Sequence, residues 1–165
     1  MNNRLIRIKL FALWERHRAT ADPVIVNYRN TFFLFSTNQW GYWWSKDLSE
    51  WNFIFRKFLR PWNEGYDELC APAVGIIGDT MIVFGSTYTG NFTIWMSTNP
   101  LENHWKSLVD SFEIGGWDPA FFTDEDGKLY MYNGSINRYP IFGIELNRKT
   151  MEPIGTRKEL YLLEP

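Results

Sequence analysis

The chain has 165 residues and a formal net charge of −2, with acids and bases interspersed. That length suffices for one domain with a real core, and the charge pattern excludes the clustered basic face of a nucleic-acid binder. A single cysteine, Cys70, excludes an internal disulfide, and no apolar run approaches the length of a membrane-spanning helix.

Residues 1–19 are read as a lead-in. Its basic residues Arg4, Arg7, Lys9, Arg16 and Arg18 alternate with Leu5, Ile6, Ile8 and Leu10, which suits an edge strand or short amphipathic segment better than a nucleic-acid patch. The same basic residues interrupt any signal-peptide core, and no small-residue cleavage site follows. The default expectation for location is therefore cytoplasmic.

From residue 20 onward a phrase recurs: Ala21-Asp22-Pro23, Cys70-Ala71-Pro72-Ala73, and Trp117-Asp118-Pro119-Ala120. Its prolines stand 49 and then 47 positions apart, the spacing of a propeller blade. Each phrase is followed by a strand-like run, a turn, and a second run. After the first come Val24–Val26, Arg29-Asn30 and Phe32–Ser36; after the second, Val74–Ile77, Gly78-Asp79 and Met81–Ser86; after the third, Phe121-Phe122, Asp124–Gly127 and Leu129–Tyr132. Third strands are predicted at Gly41–Ser45, Phe92–Ser97 and Ile141–Leu146. Fourth strands are predicted at Trp51–Phe55, Trp105–Val109 and, weakly, Leu160–Leu163. Aromatic residues make up 18% of the chain, nine of them Trp, and this too favours an all-β fold.

The expected architecture is all-β: blades of four antiparallel strands, occupying about 20–66, 67–114 and 115–165. Three blades fall short of the usual four to eight of a closed propeller. Exposed blade edges then make self-association a hypothesis of its own.

Equivalent positions of adjacent blades lie near one axis, so Asp22 and Asp118 are expected to face a common central site. The bland alternative is that each caps a turn before a strand, helped by its proline. Trp40 and Trp117 adjoin the motif strands and are candidates to stack on a sugar ring, with core packing the alternative. Asn133, Ser135 and Asn137 are candidates to bond sugar hydroxyls, or else form a polar loop. Asp124, Glu125 and Asp126 before Gly127 read as a hairpin turn. They lack the alternating ligands and distal glutamate of a calcium loop. His17 and His104 have no metal spacing, so neither a metal nor a cofactor is expected.

These residues resemble glycoside hydrolase family 43, five-bladed propeller enzymes that include β-xylosidases and α-L-arabinofuranosidases. The resemblance is carried by Ala21-Asp22-Pro23 with Phe33–Thr37, by Tyr42–Leu48 with Trp51, by Ala71-Pro72, and by Trp117–Phe122 with Asp126–Tyr130. It extends from about residue 20 to 160 and covers three of the family's five blades. It implies an inverting hydrolase of arabinose- or xylose-type glycans, with an oligo- or polysaccharide as partner. Asp22 then corresponds to the general base and Asp118 to the aspartate that orients the acid and raises its pKa.

The family's general acid is a fourth-blade glutamate, and Glu145, Glu152 and Glu164 do not match its motif. Cys70 departs from the Trp-Ala-Pro common in the family's second blade. Family members are often exported, against the default expectation for location. Two other readings stay open: a catalytically inactive carbohydrate-binding remnant, and a protein-interaction propeller. The latter lacks any Gly-His…Trp-Asp repeat.

Overall fold

The computed structural model describes residues 21–37, 40–58, 69–86, 92–112, 117–134 and 140–161. The lead-in, Ser135, Asn137 and Glu164 lie outside the described residues.

Among the described residues, twelve strands form three four-stranded antiparallel sheets, each ordered as the chain runs. These are blades of an incomplete all-β propeller. Blade one holds β1 (Ala21–Tyr28), β2 (Thr31–Thr37), β3 (Gly41–Ser45) and β4 (Asn52–Phe55). Blade two holds β5 (Cys70–Ile77), β6 (Thr80–Ser86), β7 (Phe92–Asn99) and β8 (His104–Phe112). Blade three holds β9 (Ala120–Thr123), β10 (Leu129–Asn133), β11 (Ile141–Leu146) and β12 (Pro153–Tyr161). The inner strands touch in sequence, β1 against β5 and β5 against β9.

Short turns fix the hairpin registers. Arg29 (φ 50) and Asn30 (φ 55) are both left-handed, as a two-residue turn matching the strand twist requires. In blade three the Gly127 amide donates to the Asp124 carbonyl at 3.0 Å, and Lys128 Nζ lies 2.9 Å from Asp126 Oδ2. This segment is a hairpin turn. In blade one Asp47 accepts from Ser49 Oγ at 2.6 Å and from the Ser49 and Glu50 amides at 2.9 and 3.0 Å. Those bonds, the Ser49 hydroxyl foremost, hold the Asp47 carboxyl well below the usual carboxylate range.

Alternation along each second strand sends its apolar side chains to two different interfaces. Phe33 and Phe35 of β2 pack with Met81 and Val83 of β6, together with Tyr28, Tyr42, Phe58 and Leu69. Ile82 and Phe84, the other face of β6, pack with Leu129 and Met131 of β10 and with Ile144, Leu146 and Met151. The outward faces of blades one and three leave Ile25 and Phe122 about half exposed.

One predicted strand differs. The fourth strand of blade three begins at Pro153, seven residues before the predicted start at Leu160. Residues 153–160 are all exposed, and Gly155 interrupts them with a positive φ of 77. An outer strand whose residues stay exposed needs no apolar alternation, so it carried no periodic signal.

Candidate functional site

The recurring phrase is a bulge at the start of the inner strand in blades one and two, and in blade three it leads into β9. In blade one Ala21 faces Thr37 and Val24 faces Phe35, so the inner strand carries one extra residue. Blade two repeats this between Cys70, facing Ser86, and Ala73, facing Phe84. The residue before each proline is left-handed in all three blades: Asp22 at φ 50, Ala71 at φ 42 and Asp118 at φ 55. A side chain with a Cβ resists this conformation by about 1 kcal/mol or more, and Asp tolerates it better than Ala. The threefold recurrence identifies the bend as a feature of the blade, retained in blade two even by an alanine. It also replaces the turn-cap reading for Asp22, which sits inside β1.

Both aspartates are exposed, and both stand at the entry end of an inner strand. Asp22 Oδ2 accepts a hydrogen bond from Thr37 Oγ1 at 2.8 Å, and Thr37 Oγ1 in turn accepts from the Ala71 amide at 2.9 Å. Sequence reasoning did not single out Thr37. Its signal was available, because counting back from the Arg29-Asn30 turn places Thr37 across the hairpin from Asp22.

The same register differs in the other blades. In blade two it is Ser86, and Ala71 stands where a carboxylate would receive its proton. The Ser86 hydroxyl is buried without a hydrogen-bond partner. In blade three it is Gly134, whose amide donates to the Trp117 carbonyl at 2.8 Å. A Cβ there would lie 2.2 Å from the Pro140 carbonyl oxygen, and its φ is 142, so only glycine fits. Asp118 therefore has no hydroxyl at the position that Thr37 holds beside Asp22.

Trp40 is half-buried just before β3, and its carbonyl accepts from the Arg56 amide at 2.9 Å. Since Gly41 begins beside the end of β2, Trp40 stands at the same end of blade one as Asp22. Trp117 is half-buried and adjoins Asp118. Asn133 is 4% exposed, and its amide nitrogen is buried without a partner. Among the described residues no group of three or more His, Cys, Asp or Glu side chains could hold a metal ion.

Chemically, the described site offers two carboxylates on equivalent left-handed bends, one of them tethered. Trp40 stands at the same end of blade one as Asp22, and Trp117 precedes Asp118 in the chain.

A three-bladed all-β chain with an aspartate-bearing left-handed bend opening its first and third blades defines a propeller of the glycosidase type. A family model described as Glycosyl hydrolases family 43 matches residues 17–164, and the chain belongs to that family. No curated protein matches the sequence. Among solved structures, an arabinanase from Bacillus subtilis aligns with a TM-score of 0.67 at 18% identity, over 87% of this chain and 57% of its own. An endo-arabinanase from Bacillus licheniformis aligns with a TM-score of 0.68 at 20% identity, over 85% of this chain and 55% of its own. An α-L-arabinofuranosidase from Clostridium thermocellum aligns with a TM-score of 0.63 at 17% identity, over 89% of this chain and 57% of its own. The chain thus spans a little over half the length of these enzymes.

Proposed function

We propose that this chain carries the base side of an inverting glycosidase site for arabinose- or xylose-type glycans. Asp22 is the general base, and Asp118 is the carboxylate that orients the acid. The observation that carries the reading is the left-handed bend shared by Asp22 and Asp118 at one end of the inner strands. Backbone strain repeated at blade spacing and bearing a carboxylate twice is how a fold aims acidic groups at one axis. Family membership and the likeness to arabinanases and an α-L-arabinofuranosidase support the substrate class. Trp40 and Trp117 offer half-buried rings to the C–H faces of a sugar. Asn133 adds an amide nitrogen with unspent hydrogen-bonding capacity.

In an inverting mechanism the base takes a proton from water on one face of the sugar while an acid protonates the leaving oxygen on the other. The three blades supply a base without the family's fourth-blade glutamate. A missing general acid costs roughly 10²–10⁴ in rate when the leaving group needs protonation, and far less when the leaving group is a stable aryl oxide. A second reading is a carbohydrate-binding chain without turnover.

The test is hydrolysis of 4-nitrophenyl α-L-arabinofuranoside and 4-nitrophenyl β-D-xyloside by the purified chain, with Asp22→Asn as control. Turnover lost in the control supports the glycosidase reading. Rates that match the control, from a folded sample that binds arabino- or xylo-oligosaccharides by calorimetry, overturn it in favour of the binding reading.

A further inference from the structure

Resting on the reading of Asp22 as base, we infer that Thr37 is the positioning residue for that carboxylate, and that Asp22 Oδ1 is the oxygen that takes the proton. A threonine hydroxyl has one proton and two lone pairs. The Ala71 amide can only donate, so at 2.9 Å it occupies a lone pair of Thr37 Oγ1. The hydroxyl's single proton is then directed to Asp22 Oδ2 at 2.8 Å. The chain of bonds has a fixed direction, from the blade-two backbone through the blade-one hydroxyl to the carboxylate. Oδ2 is held as an acceptor, and Oδ1 is left to do chemistry.

In the step itself, one O–H bond of the attacking water breaks and its proton passes to Asp22 Oδ1. The oxygen's electron pair forms the new bond to the anomeric carbon. The old C–O pair departs with the leaving group, as aryl oxide in an activated substrate.

Among the described residues, the threonine tether belongs to Asp22 alone of the two aspartates. Asp118 has Gly134 at the equivalent register, and Gly134 cannot be replaced by a hydroxyl-bearing residue without a clash against Pro140. A base must hold one orientation toward water, whereas a carboxylate that adjusts an acid acts through its charge. The asymmetry therefore agrees with the division of roles. It also makes the base's orientation depend on blade two being docked, since Ala71 supplies the donor.

The experiment compares Thr37→Val, which keeps the shape, with Thr37→Ser, which keeps the hydroxyl. Three-bond couplings from the backbone nitrogen and carbonyl carbon to Asp22 Cγ report its χ1 directly, and exchange of the Ala71 amide reports the donor. The valine variant should show rotamer-averaged couplings and faster Ala71 exchange. Its kcat on the aryl arabinofuranoside should fall roughly 10- to 100-fold with KM unchanged. The serine variant should restore all three. Thr37→Ala makes the same comparison if the valine chain does not fold. A single, wild-type Asp22 rotamer in a folded variant without the hydroxyl overturns the inference. If wild type and Asp22→Asn are equally inactive yet the couplings average in the valine variant, Thr37 does hold Asp22 and only the glycosidase reading falls.

Discussion

Between blades one and two the packing is aromatic and tied down by hydrogen bonds, whereas between blades two and three it is mainly aliphatic and thioether-rich, beside an open cleft. At the first interface Tyr42 stacks on Phe35 at 4.8 Å between ring centroids and meets Trp105 edge-on at 5.7 Å. Its hydroxyl donates to the Pro100 carbonyl and accepts from Trp105 Nε1 at 3.0 Å. Tyr28 donates to the Asp79 and Thr98 carbonyls, and Asn103 bonds the Phe55 carbonyl and the Lys57 amide. At the second interface Met131, Met151, Leu129 and Ile82 pack with Phe84, whose ring meets that of Phe121 at 6.0 Å between centroids. A cleft there is lined by Val74, Gly75, Ile77, Phe121 and Thr123 among others. Polar bonds fix a geometry, while aliphatic and thioether packing tolerates repacking. The directional interface is also the one that bears Thr37 and Asp22, so rigidity is concentrated where the proposed base would need it.

The largest expected difference comes from swaps that keep volume on each side. Tyr42 is fully buried, and burial pushes its hydroxyl above the ordinary phenol range against a smaller opposing effect of the Trp105 bond. It therefore stays a protonated donor. Tyr42→Phe should cost about 1–3 kcal/mol, because the half-buried Trp105 indole N–H loses its acceptor and the Pro100 carbonyl keeps only the Asn103 amide. Met131→Leu, at an equally buried position, should cost under about 1.5 kcal/mol. Urea unfolding of both variants measures the contrast. Equal losses would remove the distinction between the interfaces.

A smaller effect, of opposite sign, is expected from filling the second interface. A Cβ on Gly75 would meet the Phe121 ring at 3.4 Å, which is ordinary contact. Its φ is not left-handed, so Gly75→Ala also removes freedom from the unfolded chain. A gain of about 0.4–1 kcal/mol is expected, read as a higher urea midpoint at unchanged slope. A loss would mean that the cleft is tighter than its lining suggests.

Much of this arrangement was legible in the sequence, for a physical reason. Alternating apolar residues and short polar turns must be written locally, so the phrase at 21–23, 70–73 and 117–120 announced the blades, and Gly41–Ser45 and Ile141–Leu146 announced third strands. What stayed hidden depends on partners distant in sequence or on conformation without composition. Ala71 gives no hint of being left-handed, because alanine is chosen there by its place in the blade. Hairpin counting sets Thr37 across from Asp22, but nothing local reveals the Ala71 amide that reaches it from the next blade. Ser86 and Asn133 lie at positions that alternation turns toward the second interface. They are buried without partners, and nothing local marks them.

The smallest expected effect separates directional bonding from charge within the first interface. Arg29 Nη2 lies 3.5 Å from Asp79 Oδ2, with both side chains more than half exposed. Such a pair contributes about 0.2–1 kcal/mol at low ionic strength. Asp79→Asn removes the charge while keeping the backbone carbonyl that accepts the Tyr28 hydroxyl. The loss should be small in dilute buffer and vanish in about 1 M salt, where screening acts within about 3 Å. The cost of Tyr42→Phe should be indifferent to salt, since its bonds are buried. If both variants responded to salt alike, the interface would be held by surface electrostatics. Ala71, and through it Thr37 and Asp22, would then not be fixed by directional bonds.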